Sequence, residues 1–502
     1  MTVTVAVRTG LRLRPDPSRV VTRLFVPGQE LLAGSESRAS VVVGRILALD
    51  ETEVDRALAS VMDRFGTRHR ELPDIFTRHA ARIANRIAAN VALSTNRRQL
   101  LGATFTHEFA VEAAALCNPS IVPHPDQAGA PPGGLRFVMS VRAIGEGHRS
   151  SIGFRTGTIT ADGIVTVDAA GPFAVINDVR PGPFDRSVFD GKLDQLRKNG
   201  DNAASVLDAL GEQFVQSDLD FALDRLRAQR DTRRTAGDTI AHLRTIAECS
   251  YTADFPEASE LSERVLWPAS GAESCGMEDA RFVRFVEDDG TTVYYATYTA
   301  YDGTAITQQL LETTDFATFR ASPIVGPAAS DKGVALFPRR IGGRFAALSR
   351  FDRETNAVAF SHSPRRWDRA VTVQRPSETW ESIQLGNCGS PIETDAGWLV
   401  LTHGVGPMRT YSIGALLLDL DDPTVVIGRL REPLLTPEAD EQDGYVPNVV
   451  YSCGALVHAG TVVIPFGIAD SSIGIATVPL ATLMGALLDD RQPATVGGEL
   501  QQ

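Results

Sequence analysis

Five strand–turn–strand units recur along this sequence and constrain its fold more than any other feature. In each unit a strand of β-branched, aromatic or other apolar residues ends in polar residues, a short turn follows, and a second strand of small and apolar residues leaves. The incoming strands are 135–142, 292–298, 344–350, 398–403 and 461–467. Equivalent residues of the outgoing strands are separated by 154, 52, 55 and 60 positions in the series Ile152, Ile306, Val358, Ile413 and Ile473. Periods of about 40–60 residues rich in short strands are typical of propeller blades. The pattern therefore predicts an all-β fold, a five-bladed β-propeller.

The first separation is longer than the others by roughly a hundred residues, which indicates an insertion between the first two blades. Residues from about 190 to 247 show apolar residues at helical spacing and no strand pattern, so this insertion is predicted to be helical. Similar spacing over 54–65 and 75–91 predicts further helices, and Asp50 and Thr52 are candidate N-caps for the first of them.

These patterns divide the chain into three parts. We predict a mainly helical N-terminal region over 1–105, a propeller catalytic domain over 106–490 and a tail over 491–502. The helical additions are candidates for a homo-oligomer interface.

Composition excludes several classes of function. The 502 residues carry a net charge of −13, which disfavours nucleic acid as the main partner because phosphate backbones require a basic face. The five cysteines form no C-x-x-C pair, so neither a zinc site nor a disulfide framework is indicated. The start lacks the basic-then-apolar pattern of a signal peptide, and no apolar run reaches the ~18 residues that span a bilayer. We therefore expect a cytoplasmic protein without a membrane partner.

Polar residues stand at equivalent strand ends of the five units. In a propeller these ends converge on one face of a central channel. For any single residue a turn cap is the likelier role, but nine at corresponding places point to a shared site. The nine are Asn118, Arg142, Asp279, Asp302, Lys332, Arg350, His403, Asn448 and Asp470.

The chemistry of these residues favours a carbohydrate site. The nine histidines show no H-x-x-x-H spacing for a metal, and no G-x-S-x-G, G-x-G-x-x-G or P-loop pattern is present. Carboxylates with amide and aromatic neighbours suit sugar hydroxyls, while arginines and lysine suit phosphate or another anion. An ordinary glycosidase uses two carboxyl groups. If an inorganic anion attacks the sugar, a single acid is sufficient.

The adjacent acids Glu278 and Asp279 belong to a longer motif. The segment from Gly276 to Gly303 matches the pattern G-x-E-D-P-R…Y-Y-x-T-Y-T-A-Y-D-G, with Ala280 in place of the usual proline. This pattern resembles glycoside hydrolase family 130, the β-mannoside phosphorylases and related mannosidases. Further elements similar to the family are 331–338, 411–423, 446–450 and 467–470. The resemblance covers roughly 117–185 and 251–485 and implies a five-bladed propeller.

The resemblance also implies roles for individual residues. Asp279 is the expected general acid, which in the phosphorylases works through a sugar hydroxyl. Lys332 and Arg350 fall at positions associated with phosphate, and Arg320 is a further candidate. The expected substrate-binding residues are Asn118, Arg142, Glu278, Arg281, Tyr298, Asp302, His403, Asn448 and Asp470. The expected reaction is phosphorolysis of a β-mannoside to mannose 1-phosphate, with inorganic phosphate as co-substrate and neither a cofactor nor a metal.

Two departures from the family pattern keep alternatives open. Ser349 stands where the phosphorylases commonly have histidine, and Thr304 and Ala305 occupy a stretch where many members carry another basic residue. One alternative is hydrolysis by a water molecule activated by a carboxylate, for which Glu273 and Glu393 are candidates. A transferase running in the synthetic direction is a variant of phosphorolysis. The other alternative is a non-catalytic sugar-binding propeller.

Overall fold

The computed structural model describes residues 6–27, 37–88, 90–228 and 236–489; the predicted tail 491–502 lies outside them. Within these ranges the chain is mostly sheet, with two groups of helices. The helices are α1 (Arg38–Leu47), α2 (Glu51–Phe65), α3 (Leu72–Arg82), α4 (Thr95–Thr104), α5 (Arg186–Leu196), α6 (Asp201–Leu207), α7 (Gln216–Ala228), α8 (Ala236–Glu248) and α9 (Leu480–Asp489). None of the helices described is both long and apolar enough to cross a membrane.

The strands are short and mostly antiparallel. In chain order they are β1 (Val7–Leu13), β2 (Val20–Leu24), β3 (Thr106–Ala110), β4 (Ala115–Pro123), β5 (Leu135–Ile144), β6 (Ser150–Ile159), β7 (Val165–Val167), β8 (Val175–Ile176), β9 (Asp178–Pro181), β10 (Phe184–Asp185), β11 (Gln213–Phe214), β12 (Tyr251–Asp254), β13 (Arg264–Leu266), β14 (Gly276–Val286), β15 (Thr292–Tyr301), β16 (Ile306–Thr313), β17 (Thr318–Pro323), β18 (Ala335–Leu336), β19 (Phe345–Ser349), β20 (Asn356–Ser361), β21 (Ala370–Gln374), β22 (Gln384–Asn387), β23 (Ile392–Thr394), β24 (Gly397–Val405), β25 (Tyr411–Leu418), β26 (Val426–Arg429), β27 (Val450–Tyr451), β28 (Leu456–His458), β29 (Thr461–Ile468) and β30 (Ser472–Pro479).

The strands assemble into five antiparallel meanders of four strands each. Their orders are β4–β5–β6–β7, β14–β15–β16–β17, β18–β19–β20–β21, β22–β24–β25–β26 and β27–β29–β30–β1. The first two meanders share one sheet through a single parallel bridge between Ser150 and Gly276. Each meander contains one of the strand–turn–strand units found in the sequence.

Apolar clusters lie between successive meanders, and the last cluster joins the fifth meander to the first. Phe154 and Phe316 pack between the first and second meanders, with ring centroids 5.8 Å apart. Equivalent clusters follow around the molecule, and the fifth contains Met139 of β5 together with Ile473 and Ile475 of β30. The pairs representing the other three clusters are Phe285 with Phe345, Phe337 with Trp398, and Ile413 with Ile464. Burial of apolar surface between neighbouring sheets is thus repeated five times in a cyclic order.

The N-terminal region contains two strands besides its helices. β1 forms the outer strand of the last meander, where Val7 pairs with Thr477. Arg8 strengthens this attachment, since its Nε and Nη2 donate to the two carboxylate oxygens of Glu441 at 2.8 and 2.7 Å. β2 pairs with β3 across the predicted boundary at residue 105. Both strands of this region therefore have their partners outside it.

The two groups of helices have their own apolar cores. In the first group, Asp50 caps α2 by accepting a hydrogen bond from the backbone N–H of Glu53, and the Glu53 side chain accepts one in return. Helices α5 to α8 lie in the segment where the sequence predicts a helical insertion. They bury a cluster that includes Phe189, Leu223 and Leu243.

Candidate active site

Backbone bulges direct Asn118 and Asp279 toward a common centre. In β4, two residues between Cys117 and Ser120 oppose one residue of β5, and in β14 the same occurs between Glu278 and Arg281. The bulged residues Asn118 and Asp279 have positive φ values of 48° and 57°. Asn and Asp adopt this left-handed conformation more readily than most residues, and bulges re-aim side chains. The same local geometry, a bulge that contains a residue with positive φ, therefore occurs in two neighbouring meanders.

The Asp279 carboxylate is held through one of its two oxygens. Asn118 Nδ2 donates to Asp279 Oδ1 at 2.5 Å, and Arg142 Nη1 lies 3.5 Å from the same oxygen. Arg142 also donates from Nη2 to Glu278 Oε1 at 2.6 Å. No donor in the described part of the chain reaches Asp279 Oδ2 within hydrogen-bond distance. Asp279 is thus oriented through Oδ1, and Oδ2 is left for a ligand or a proton.

A cavity of about 160 Å³ opens beside Asp279. Eight of the residues predicted from the sequence line it, namely Asn118, Arg142, Asp279, Arg281, Lys332, Arg350, His403 and Asp470. Nine further lining residues were not predicted as site residues, and five of them have polar side chains: Gln384, Asn387, Arg409, Tyr411 and Tyr451. The cavity is therefore made from strand ends and turns of all five units.

The cavity is strongly cationic although the whole chain is acidic. Among its described lining residues, five carry a positive charge and two carry carboxylates. The cations are Arg142, Arg281, Lys332, Arg350 and Arg409, and the carboxylates belong to Asp279 and Asp470. A partly enclosed group of cations attracts an anionic ligand.

Asp279 is ionised in the free site. Burial alone would raise its pKa, but the positive charges of Arg142, Lys332 and Arg281 and the hydrogen bond from Asn118 together lower the pKa of Asp279 below its ordinary value. The carboxylates act on Arg142 in turn. Burial would lower the pKa of Arg142, whereas Asp279 and Glu278 raise it above its ordinary value.

The pKa of Asp470 is shifted in the opposite direction from that of Asp279. It lies in a turn with a positive φ of 49°. Burial raises the pKa of Asp470 to about 6; Arg142 opposes the rise and Asp279 adds to it. The two carboxylates of one cavity therefore have pKa values moved in opposite directions, which is a common property of acid–base sites.

His403 is neutral and serves as a hydrogen-bonding group. Burial, with the charges of Arg350 and Arg281, lowers the pKa of His403 to about 3. His403 Nδ1 lies 3.1 Å from the carbonyl oxygen of Asn387, which can only accept, so Nδ1 carries the proton. Nε2 is consequently an acceptor that can bind a ligand hydroxyl.

Lys332 and Arg350 are two further cations of the cavity lining. Arg350 Nη2 donates to Asp331 Oδ2 at 3.0 Å, which fixes the guanidinium. Its buried Nε has no hydrogen-bond partner within the described ranges. Lys332 Nζ is 3.9 Å from Glu278 Oε2 and its side chain is 40% exposed. Both cations can therefore still donate to a ligand.

Comparison with known proteins gives the family. Residues 234–488, half of the chain, match the family model of glycoside hydrolase family 130, described as β-1,4-mannooligosaccharide phosphorylase. The chain belongs to glycoside hydrolase family 130. The resemblance seen in the motifs is thereby confirmed, and with it the prediction that the chain is an enzyme.

The relatives of known activity that match in sequence align with less than half of the chain. A 1,2-β-oligomannan phosphorylase from Thermoanaerobacter sp. (strain X514) is 33% identical over 231 residues, which are 44% of this chain and 74% of the relative. A β-1,2-mannobiose phosphorylase from Listeria innocua is 32% identical over 44% of this chain and 63% of its own length. A solved structure of a β-1,2-mannobiose phosphorylase from Listeria innocua covers 76% of this chain and 94% of that chain, with 21% identity and a TM-score of 0.44.

Five predicted site residues do not line the cavity. Glu278 is adjacent, since it contacts Arg142 and Lys332. Asp302 caps its own turn by accepting from the backbone N–H groups of Thr304 and Ala305, both at 2.7 Å. The remaining three are Tyr298, Asn448 and Arg320.

The side chains or backbones of these three residues make their contacts outside the cavity lining. Tyr298 is fully buried, and its hydroxyl donates to Glu273. Asn448 contributes its backbone, whose carbonyl oxygen accepts from Tyr411 N at 3.0 Å. Arg320 lies on β17 with its side chain 59% exposed, 3.7 Å from Glu312. Arg320 therefore has a surface ion-pair partner and no place in the cavity wall.

The two candidate bases for hydrolysis also lie elsewhere. Glu273 is fully buried and accepts from Tyr251 Oη at 2.9 Å and from the backbone N–H groups of Ala269 and Ser270. Glu393 is near the surface and binds the guanidinium of Arg339 through both oxygens. Neither carboxylate belongs to the lining of the described cavity.

Two side chains at the departures from the family pattern, Ser349 and Thr304, make local hydrogen bonds. Ser349 is buried, and its Oγ donates to the carbonyl oxygen of Ala328 at 2.5 Å. Thr304 donates from Oγ1 to Asp302 at 2.8 Å. Both side chains are engaged in local hydrogen bonds, and neither adds a charge to the cavity.

Some of the unpredicted lining residues had a signal in the sequence. Asn387 lies in the inner strand β22 of the fourth unit, as Asn118 lies in the inner strand β4 of the first, and Tyr451 follows three residues after Asn448. Arg409 lies in the turn between β24 and β25, which is equivalent to the turn that contains Asp302 in the second unit. The equivalence of turns across units could have indicated it. Among the described residues, no group of three or more His, Cys, Asp or Glu side chains is placed to hold a metal ion.

Proposed function

We propose that this chain phosphorolyses β-mannosides and releases mannose 1-phosphate. One observation carries the proposal: Asp279, oriented through one oxygen, shares a cavity with five cationic side chains. Membership of family 130 and the phosphorylase relatives supply the substrate class. An acid and an anion site in one small cavity are the two components that phosphorolysis requires.

The sugar would occupy the part of the cavity around Asp279. Arg142, Asn118 and Asp470 offer charged and amide groups to its hydroxyls, and His403 Nε2 offers an acceptor. Arg281 supports this arrangement, because its Nη1 donates to the Asp279 carbonyl oxygen at 3.0 Å and its Nη2 donates to Tyr451 Oη at 2.6 Å. Glu278 acts through Arg142 in this proposal.

Phosphate would bind to Lys332 and Arg350, with Arg409 as a further cation of the same cavity. Arg320 is left out of the proposed phosphate site because of its surface pairing with Glu312. An oxygen of phosphate attacks the anomeric carbon, the bond from that carbon to the leaving oxygen breaks, and the leaving oxygen receives a proton. The proton comes from Asp279, directly or through a sugar hydroxyl. A single displacement of this kind inverts the anomeric configuration.

Asp279 must gain a proton before it can donate one. The positive charges of Arg142, Lys332 and Arg281 lower its pKa in the free site. A phosphate dianion beside Lys332 would offset part of this positive field and favour protonation of Asp279. Substrate binding and protonation of the acid are therefore coupled in the proposed mechanism.

We also propose that the fold is a five-bladed propeller. The five four-stranded meanders and the cyclic order of the apolar clusters support it. The domain boundaries stay as 1–105 and 106–490, with β1 reassigned to the fifth blade. The helices α1 to α8 remain candidates for a homo-oligomer interface.

The decisive experiment compares turnover with and without phosphate. β-1,2- and β-1,4-linked mannobioses are incubated with the protein, and mannose 1-phosphate and free mannose are both quantified. We expect the disaccharide to be cleaved only when phosphate is present, with equal amounts of mannose 1-phosphate and mannose as products. Release of free mannose at the same rate in phosphate-free buffer would establish the hydrolytic alternative instead.

A further inference from the structure

The described structure contains another cavity, of about 600 Å³. Helix α5 of the insertion forms one wall, and the beginning of β16 and the chain after β17 form the others. Ser330 lines this second cavity and Lys332 lines the first, so only Asp331 separates the two linings along the chain. Its volume is typical of a small-molecule site.

The strand register relates Gln308 of the second cavity to Glu278, the chain neighbour of Asp279. Glu278 of β14 pairs with Thr299 of β15, and Thr299 pairs with Gln308 of β16. Gln308 lines the second cavity. Two strand spacings separate it from Glu278, which corresponds to about 10 Å. A short oligosaccharide bound at Asp279 can span this distance.

Two polar groups of the second cavity are without partners. Gln308 is 5% exposed; its Nε2 donates to Thr299 Oγ1 at 2.9 Å, while its buried Oε1 has no partner in the described part of the structure. Exchanging the amide oxygen and nitrogen would still leave one amide atom unpaired. Lys192, partly buried on α5, has neither a carboxylate nor another hydrogen-bond partner within the same ranges, and burial lowers its pKa. Gln308, which has an unpaired acceptor, and Lys192, which has an unpaired donor, thus line one cavity.

The charges around them favour a neutral ligand over an anion. Arg366 binds both carboxylate oxygens of Asp368 through its Nε, and Asp194 accepts from Asn199. With Lys192, the charged residues of the lining are two cations and two anions. A hydroxyl group donates to Gln308 and accepts from Lys192, so a polyol satisfies both.

We propose that this cavity binds a distal sugar residue of the oligosaccharide whose other end is cleaved at Asp279. The inference rests on the proposed function and adds a determinant of chain length. Helix α5 lies outside the segment 234–488 that matches the family model. The extra subsite is therefore a property of the insertion in this chain.

The test is a binding experiment that does not depend on turnover. In the Asp279→Asn background, calorimetry measures the affinity for mannobiose and mannotetraose in the β-1,2- and β-1,4-linked series. We expect the tetrasaccharide of one series to bind roughly five- to tenfold more tightly than its disaccharide, as one or two added hydrogen bonds allow. Lys192→Ala should remove most of this gain and leave disaccharide affinity unchanged.

Lys198→Ala is the matched control, because Lys198 is an exposed lysine of the same insertion that does not line the cavity. Gln308→Leu is a second variant with the same expected loss. The inference would be overturned if Lys192→Ala and Lys198→Ala had equal effects on affinity. It would also be overturned if Lys192→Ala weakened binding of both chain lengths equally, or if the wild-type residue at 192 gave no gain in affinity with chain length. If the gain in affinity with chain length depends on Lys192 but the wild type releases no mannose 1-phosphate, only the proposed function fails.

Discussion

Asn118 and Asp279 are 161 positions apart, yet their side chains share a 2.5 Å hydrogen bond in the candidate active site. Both residues stand at bulges with positive φ in neighbouring meanders. The bond uses Asp279 Oδ1 and orients the carboxylate, so Oδ2 is the atom that would exchange the catalytic proton. This relationship makes Asp279 the first residue to test.

Replacing Asp279 with Asn should lower kcat for phosphorolysis by about 10²- to 10⁴-fold, the usual contribution of a general acid. Asn tolerates the positive φ of this position, so the fold should persist and oligosaccharide affinity should change little. Release of mannose 1-phosphate measures the rate. Asp289→Asn, in an exposed turn, is the control. An Asp279→Asn rate close to the wild-type rate would contradict the assignment.

Replacing Lys332 with Ala should raise the KM for phosphate about tenfold, the lower end of what a charge-assisted hydrogen bond contributes, since the side chain is 40% exposed. The KM for oligosaccharide should change much less. Because Lys332 also lowers the pKa of Asp279 and the acid acts in its protonated form, the alkaline limb of the pH profile should move to higher pH in Lys332→Ala. Lys198→Ala serves as the control. A similar rise in both KM values would argue against a phosphate site at Lys332.

Asp470 should make stability depend on pH. Its pKa of about 6 in the folded state is above its ordinary value of 3.8, so ionisation destabilises the folded state. This penalty is absent well below the ordinary pKa and is complete above about pH 6. Asp470→Asn should therefore raise the free energy of unfolding on the order of 2 kcal/mol near neutral pH and by much less near pH 4. Unfolding by denaturant at both pH values measures the difference, and equal gains at both would refute the explanation.

Glu273→Gln should lower thermal stability and leave the remaining folded enzyme active. Glu273 is buried and accepts from Tyr251, Tyr298 and two backbone N–H groups, so the change disturbs a satisfied network at a cost of about 2–4 kcal/mol. Thermal unfolding and activity at low temperature are measured together. Glu393→Gln, a change in a half-exposed pair, is the comparison. A stable but inactive Glu273→Gln enzyme would restore Glu273 as a catalytic base.

The spacing of the five units predicted much of the site because equivalent strand ends meet. Asn118, Arg142, Asp279, Lys332 and Arg350 could be found in this way. Tyr298 could not be placed correctly. It faces the bulge at Asp279, and its hydroxyl belongs to the buried Glu273 network, which depends on contacts between β15 and residues 269–273. Asp302 shows the alternative role of a polar residue at a strand end, since a carboxylate at a turn readily accepts hydrogen bonds from the backbone N–H groups of that turn.

Other features depend on contacts that no local pattern reveals. The positive φ values at Asn118 and Asp279 arise from bulges, which appear only when two strands are paired. Arg409 enters the cavity because a turn of the fourth unit faces Asp470 of the fifth; its charge lowers the pKa of that carboxyl, although burial outweighs the effect. Lys192 is ordinary in sequence and becomes notable only because α5 and the beginning of β16 line the same cavity.

The pairing of β1 with β30 has a consequence for synthesis of the protein. Val7 leaves the ribosome long before its partner Thr477. At about 5–20 residues per second, the wait is roughly 20 to 90 s. During that time β1 has no native strand partner. The fifth meander can form only after β30 has been synthesised. A chaperone that shields β1, or a pause after β30, would therefore affect the yield of active enzyme more than the same intervention at any of the four meanders that are complete earlier.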